Sequence, residues 1–153
     1  MIDRAPIGFS TPPTTVAIDA WRVRLFCQPT GDTDPVHWDP DAAARAGHTA
    51  CPVPPTFLKA LETDHCSSAL LMERLGVPLR TVLHAAQSFD DLAPLHVGDR
   101  IEISRHITDS YDKRDGALTF IVVDTRYLRN GTPVGSSRQT IVARNRPVAQ
   151  EAR

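Results

Sequence analysis

Two tight-turn dipeptides in the second half of the chain, Asp115-Gly116 and Asn130-Gly131, constrain the fold more than any other feature. Both pairs suit the positive backbone angles of a two-residue hairpin turn. They separate three runs rich in apolar and β-branched residues, "IEISRHITDSY", "ALTFIVVDTRYL" and "VGSSRQTIVAR". Three successive runs joined in this way predict an antiparallel meander of strands.

In the first of these runs, mainly apolar positions alternate with polar ones, which predicts a strand with one buried face and one solvent-exposed face. The two faces consist of Ile101, Ile103, Arg105 and Ile107 on one side, and Glu102, Ser104 and His106 on the other. The segment "TVLHAAQSF" predicts a further strand before the meander, so that the sheet has at least four antiparallel strands.

The first half of the chain carries helical signals instead. From Thr14 to Cys27, apolar residues recur at helical spacing. Ile18, Trp21 and Leu25 mark one face, Val23 and Phe26 widen it, and Pro29 follows as a stop. We expect a first helix there. Helices followed by an antiparallel meander give an α+β layout.

Three more helices follow from capping residues. Asp39 as N-cap and Pro40 at the first helical position predict a short helix over "DPDAAARAG". Prolines before Phe57 place the start of the next helix near Pro55 or Thr56. The stretch "SSALLMERLG" predicts another helix that ends at Gly76.

Size and charge exclude several classes of protein. A chain of 153 residues suits one domain, residues 1–153. Its 17 Lys and Arg are interleaved with 18 Asp and Glu, so no basic stripe is present and we expect no nucleic-acid partner. With neither an apolar leader nor a run of membrane-spanning length, we expect no membrane association and a cytoplasmic location. Cys27, Cys51 and Cys66 are odd in number, which favours reduced thiols that act as small, half-buried hydrophobes.

The stretch "GDTDPVHWDP", residues 31–40, admits three interpretations. It is a solvated turn if its aspartates serve only as turn and cap residues. It fails as a calcium loop, because a proline and a valine stand where a third ligand and the turn glycine belong. It is a catalytic loop if His37 exchanges protons beside a carboxylate. The ordinary pKa of a histidine side chain is near ~6.5, which suits proton exchange at neutral pH.

A metal site receives little support from the sequence. His48, Cys51, His65 and Cys66 are the ligand types for zinc, but their spacing is not that of the usual two ligand pairs. We therefore expect neither a metal nor another cofactor.

The same stretch resembles the signature of the MaoC-like dehydratases, also called R-specific or type 2 enoyl-CoA hydratases. That signature reads Gly-Asp-x-Asn-Pro-x-His-x-Asp-Pro, and Asp34 stands here in place of its Asn. Further segments are similar in order and spacing to the subgroup called FAS1-like dehydratases: "PPTFL", "LHAAQSF", "PLHVGDRI" and "GALTFIVVDTRY". The resemblance covers the chain from about residue 15 to 145.

This resemblance implies a hot dog fold, in which an antiparallel sheet wraps around a central helix that begins near Thr56. It implies that Asp32 and His37 are the catalytic pair, which adds water to a 2-enoyl thioester of CoA or acyl carrier protein. The product is then the R-3-hydroxyacyl thioester, and dehydration is the reverse reaction. It also implies pairing with a second copy, as a homodimer, or with a homologous chain, as a heteromer.

The resemblance further implies that backbone N–H groups at the start of the central helix stabilise the thioester oxygen. Many relatives have His-Gly where this chain has Pro54-Pro55, and proline has no N–H. We therefore expect Thr56 or Phe57 to bind the substrate, unless a donor outside the helix does so. The alternative to an enzyme is a structural or substrate-binding subunit, since some members of the subgroup lack the acid-base pair. The presence of both Asp32 and His37 favours the enzyme.

Overall fold

The predicted α+β layout is confirmed by a computed structural model, which describes residues 7–90 and 92–145. The strands are β1 Thr14–Ala17, β2 Val82–Asp90, β3 Arg100–Lys113, β4 Leu118–Arg129 and β5 Thr132–Arg144. The α-helices are α1 Ala20–Thr30, α2 Pro40–Arg45, α3 Phe57–His65 and α4 Ser68–Arg74. Two single-turn 3-10 helices, Pro35–His37 and Leu79–Thr81, precede α2 and β2.

All strand pairs in the sheet are antiparallel, and the strand order is β1-β3-β4-β5-β2. The predicted meander β3-β4-β5 forms the middle of the sheet. Asp115 and Asn130 adopt the positive φ of 52° that their turns require. The alternation of β3 is confirmed as well, because its apolar positions and Arg105 are buried while Glu102, Ser104 and His106 are half-buried. Edge positions in the sheet belong to β1 and β2.

The prediction of a helix from Thr14 is wrong for its first six residues. Thr14–Ala17 is a strand that pairs with β3, with Val16 opposite Ile101. The helix begins only at Ala20, after Asp19 in an extended conformation, and it runs through Pro29 to Thr30. Two threonines and a valine favour a strand, and the free edge of β3 gives that strand a partner.

The predicted buried face of this helix is wrong in part, because Val23 is buried as predicted but two of its large side chains are not. Trp21 and Leu25 are 66% and 50% exposed, whereas Val23 and Cys27 are completely buried. The sheet lies on the side of α1 that carries these two smaller residues. Large apolar side chains on the opposite side remain open to solvent, which is a feature that often marks an interaction surface.

The other helices begin and end close to their predicted bounds. The Asp39 carboxylate caps α2 by accepting a hydrogen bond from the N–H of Asp41 at 2.9 Å. Thr56 is the N-cap residue of α3. The helix α4 ends just before Gly76, whose φ is 63°. None of the helices within the described residues is long and apolar enough to cross a membrane.

The core lies between one face of the sheet and the helices α1, α3 and α4. α3 contributes Phe57, Leu58 and Leu61 to a cluster that includes residues of α1, β1, β3 and β4. α4 contributes Leu71 and Met72 to a second cluster with β3, β4 and β5. The sheet thus packs along the whole length of the α3–α4 segment. Of the three free cysteines, Cys27 and Cys51 are buried and Cys66 is half-buried.

Candidate active site

The end of α1 places the first candidate catalytic residue. Gly31 takes the left-handed conformation, with φ of 73°, and turns the chain out of the helix. The N–H of Asp32 then donates to the carbonyl of Cys27 at 3.0 Å, which closes the helix end. Asp32 is therefore held by its backbone, and its carboxylate is left to point away from the helix.

Two of the three aspartates in the loop have structural roles. Asp34 caps the Pro35–His37 turn, since its Oδ1 accepts from the N–H of Val36 at 3.0 Å. Asp39 caps α2, as described above. Asp32 Oδ1 accepts from the N–H of Asp34 at 3.1 Å, but its other oxygen, Oδ2, faces His37. The turn interpretation thus accounts for Asp34 and Asp39 and leaves Asp32 with an oxygen for another purpose.

The structure brings the two predicted catalytic side chains together. His37 Nε2 lies 3.3 Å from Asp32 Oδ2. On the other side of the ring, His37 Nδ1 lies 2.7 Å from the carbonyl oxygen of Pro52. Because a carbonyl can only accept, Nδ1 donates this hydrogen bond, and Nε2 is the ring nitrogen that faces the carboxylate. Both side chains are reachable, at 17% and 33% exposure for His37 and Asp32.

The carbonyl that orients His37 belongs to a short segment fixed by backbone hydrogen bonds. The N–H of Val53 donates to Leu95, and the N–H of Val97 donates to Cys51, both at 2.9 Å. Pro52 lies between these two bonds, bridged to His96. The imidazole is therefore held by the tertiary fold and not by its own loop alone.

The helix α3 begins five residues after Pro52. The N–H of Phe57 donates to the carbonyl of Pro54 at 2.9 Å, and the Phe57 side chain is completely buried against Phe26. Thr56 is exposed, and its N–H makes no hydrogen bond within the described part of the chain. The Thr56 side chain makes no capping hydrogen bond to the helix. Of the two candidate donors, Thr56 is the one with a free N–H.

Two depressions flank this helix start. One is an apolar cleft of about 260 Å³ beside Pro52, between the Pro54-Pro55 pair and residues 92–95. The other is an open groove between α3 and β2, lined by Thr56 and Lys59 together with Phe26, Gln87 and Phe89. Of the two, the groove between α3 and β2 is the one that Thr56 lines.

Among the described residues, the four side chains weighed above as zinc ligands do not come together as a set. Across residues 7–90 and 92–145, no group of three or more His, Cys, Asp or Glu side chains is placed to hold a metal ion. His48 lies near His96 instead, with 6.1 Å between the ring centroids.

Sequence reasoning missed a buried polar network between α3 and the sheet. Glu62 and Arg105 are each 1% exposed, with Glu62 Oε1 3.3 Å from Arg105 Nε. The Tyr127 hydroxyl donates to Glu62 Oε2 at 2.9 Å. The pKa of this phenol is raised well above its ordinary value, mainly by burial and next by the negative charge of Glu62. One signal was available, since Arg105 occupies an otherwise apolar face of its strand.

Comparison with known proteins agrees with this architecture. The family model described as "FAS1-like, dehydratase domain region" matches residues 5–136. A UPF0336 protein from Saccharopolyspora erythraea is 30% identical over 145 residues, which are 94% of this chain and 92% of that protein.

Solved structures show the same fold at low sequence identity. One is the C-terminally truncated HadBC (3R-hydroxyacyl-ACP dehydratase) complex from Mycobacterium tuberculosis, with a TM-score of 0.76 and 18% identity over 90% of this chain and 96% of that chain. Another is the (R)-hydratase from A. caviae involved in PHA biosynthesis, with a TM-score of 0.66 and 22% identity over 88% and 94%. These likenesses confirm the predicted hot dog fold, with α3 as the helix inside the curved sheet.

Proposed function

Starting from the fact that this chain belongs to the FAS1-like dehydratase family, we propose that it interconverts a 2-enoyl thioester and the R-3-hydroxyacyl thioester. The observation that carries the proposal is the pairing of His37 Nε2 with Asp32 Oδ2 at 3.3 Å, with Nδ1–H bound to Pro52. The acyl group is carried by CoA or by acyl carrier protein.

The geometry suits the activation of one water molecule. In the proposed reaction His37 enters as a neutral base, so that its Nε2 and Asp32 Oδ2 are both acceptors, and a water at ordinary hydrogen-bond distance from each donates one hydrogen bond to each. As the water oxygen bonds to C3, one of the two groups takes a proton, and a proton returns to C2. Dehydration follows the same steps in reverse, so no cofactor is needed for the proton balance.

Negative charge develops on the thioester oxygen while C2 is still unprotonated. A backbone N–H aimed at that oxygen stabilises the charge, and a helix N-terminus adds its dipole. In this proposal Thr56 supplies the N–H, because the N–H of Phe57 is already bound to Pro54. Phe57 then contributes to substrate binding only by fixing the start of α3.

A second copy of the chain completes the assembly that we propose. β2 is an edge strand, and most of its residues are exposed, including Leu83 at 49%. Unpaired strand edges favour pairing with another chain. Light scattering should therefore report a dimer or larger oligomer at micromolar concentration, and a monomer would contradict this part of the proposal. Copurification with a homologous chain would instead indicate a heteromer.

The test of the reaction is hydration of a series of 2-enoyl-CoA thioesters by the purified protein, with chiral analysis of the product. We expect the R-3-hydroxyacyl thioester from the wild type. Asp34→Asn is the matched control in the loop, since an amide oxygen can still cap the turn and the change restores the residue usual in the family signature. Its rate should stay close to that of the wild type.

Two results would overturn the proposal. An S-configured product would contradict the mechanism. A wild-type protein that is inactive on every thioester, whether alone or as an oligomer, would favour the role of a structural or substrate-binding subunit beside an active partner.

A further inference from the structure

The buried network under α3 contains more cationic than anionic side chains. Glu62 is its one carboxylate, and both Lys59 Nζ, at 2.7 Å, and Arg105 Nε, at 3.3 Å, share its Oε1. Tyr127 remains a neutral donor to Oε2, for the reason given above. The formal charge of the group is therefore +1, and an excess charge in a poorly solvated place favours an anionic ligand.

Arg105 has donors to spare within this group. Its Nη1 donates to the carbonyl of Cys66 at 3.1 Å, and its Nη2 lies 3.5 Å from Gln139 Oε1. Its Nε lies 3.3 Å from Glu62 Oε1 without a hydrogen bond of ordinary geometry. A guanidinium has five N–H donors, so one N–H on each of Nη1 and Nη2 has no partner among the described residues, although the side chain is 99% buried.

Arg105 also lines a groove of about 220 Å³ between the segment before β1 and the turn that joins α3 to α4. Two further basic residues, His65 and Arg74, line the same groove, together with the Thr11 hydroxyl and the half-buried Cys66 thiol. Leu70, which is 60% exposed, forms part of an apolar wall. No Asp or Glu of the described ranges lines the groove.

We propose that this groove binds a small organic carboxylate, with the carboxylate toward Arg105 and an apolar stem along Leu70. The planar fork of a guanidinium matches the two oxygens of a carboxylate. The volume corresponds to about seven water molecules at roughly 30 Å³ each, which is room for a short stem. An inorganic anion has no group to place against the apolar wall.

The carboxylate can come from either of two sources that share this chemistry. It can be a free molecule, or it can be the far end of an acyl chain whose thioester lies at Thr56. α3 has nine residues, so the groove at its C-terminal end lies roughly 13 Å from its start. The binding proposal stands for both sources and does not depend on the proposed reaction.

The test uses Cys66 as a reporter, because a ligand in the groove covers its thiol. Alkylation of the wild-type protein by N-ethylmaleimide is followed by peptide mass spectrometry, with the buried Cys27 and Cys51 as internal references. With a Kd on the order of 1 mM, hexanoate at about 10 mM should slow alkylation of Cys66 roughly tenfold. Hexanamide, which has the same shape and no charge, should leave the rate unchanged.

Variants assign the effect to the groove. Arg105→Gln should abolish protection by hexanoate, and circular dichroism shows whether that variant is folded. Arg74→Gln changes an exposed residue and should weaken protection about threefold, so it tests the site even if Arg105→Gln does not fold. Equal protection by the acid and the amide, or protection by neither, would overturn the proposal.

Steady-state kinetics then separate the two sources. If the carboxylate is the end of an acyl chain, hexanoate should raise the KM for a 2-enoyl-CoA whose chain ends in a carboxylate, and leave kcat unchanged. If it is a free ligand, Cys66 is protected while KM stays the same. A protein without hydratase activity would give no signal in the kinetic assay. The protection assay would still show whether the groove binds a carboxylate.

Discussion

The buried network and the loop of Asp32 and His37 are both clusters of polar side chains, but they differ in how the chain builds them. Asp32 and His37 lie five positions apart on one loop and stay partly exposed. The network joins residues up to 80 positions apart, such as Lys59 and Gln139, and its central pair is almost completely buried. One cluster is local and open, and the other is nonlocal and closed.

This difference predicts which substitutions should affect activity and which should affect stability. A group that remains in contact with water can lose its partner at little cost in folding, whereas a buried charge without its partner is strongly destabilising. We therefore expect substitutions in the loop to reduce turnover in a folded protein, and substitutions in the network to reduce the free energy of unfolding.

The largest expected effect is at the loop. Asp32→Asn and His37→Gln should each lower kcat by about 10² to 10⁴, the usual contribution of a positioned acid or base. The double variant should lose little more than the worse single variant, because two residues that handle one water act as a unit. Thermal unfolding of the same proteins is the control. A wild-type kcat in the His37→Gln protein would contradict the expectation that substitutions in this loop reduce turnover.

The network should show the opposite behaviour. Glu62→Leu leaves Arg105 and Lys59 without their carboxylate and should lower the free energy of unfolding by about 3–5 kcal/mol. Urea denaturation measures this loss. Glu73→Leu, an exposed glutamate on α4, is the matched control and should change stability little. Equal midpoints for the two variants would show that burial does not distinguish the regions.

A sharper version of the comparison concerns Thr56, where a backbone group is proposed to act in the site. Thr56→Pro removes the N–H, and the φ of −74° at this position is one that proline adopts. We expect a loss of about 10² to 10³ in kcat for Thr56→Pro, the range for one oxyanion donor, and little change for Thr56→Ala. If both variants are folded and equally active, Thr56 is not the donor.

The smallest expected effect comes from a surface ion pair. Arg138 donates to Asp124 through Nε and Nη2 at 2.7 and 2.8 Å, and these hydrogen bonds lower the pKa of the Asp124 carboxyl. Such a pair adds stability above the ordinary Asp pKa near ~3.9 and loses it as the pH falls through the lowered value. Because the pair is solvent-exposed, Asp124→Asn should lower the Tm at pH 7 by no more than about 2 °C. A larger loss at pH 7, or a difference from wild type that grows as the pH falls below 3.9, would contradict the prediction.

Sequence reasoning succeeded where the information is local. The turns at Asp115 and Asn130, the cap at Asp39 and the loop motif each depend on a few adjacent residues, and all of these structural expectations agree with the observed fold. The pairing of Asp32 with His37 also follows from a contiguous motif. Their catalytic roles stay predictions, as does the donor role of Thr56.

Sequence reasoning failed where a distant partner decides the outcome. Thr14–Ala17 is a strand because β3 offers it an edge, and no residue near Thr14 reports the presence of β3. Trp21 looks like a core residue until the sheet is found on the other side of α1. The network around Glu62 depends on four elements packing together, so its members could not be grouped from their positions along the chain.

The hydrogen bond from His37 to the carbonyl of Pro52 bears on how such a site tolerates genetic variation. Every amino acid brings the same carbonyl group, so no codon change at position 52 can delete this acceptor. A mutational scan would score the position as tolerant, provided that the segment keeps its bonds to residues 95–97, although its backbone decides which nitrogen of His37 carries the proton. The acceptor that orients His37 is therefore invisible to any screen that varies only side chains.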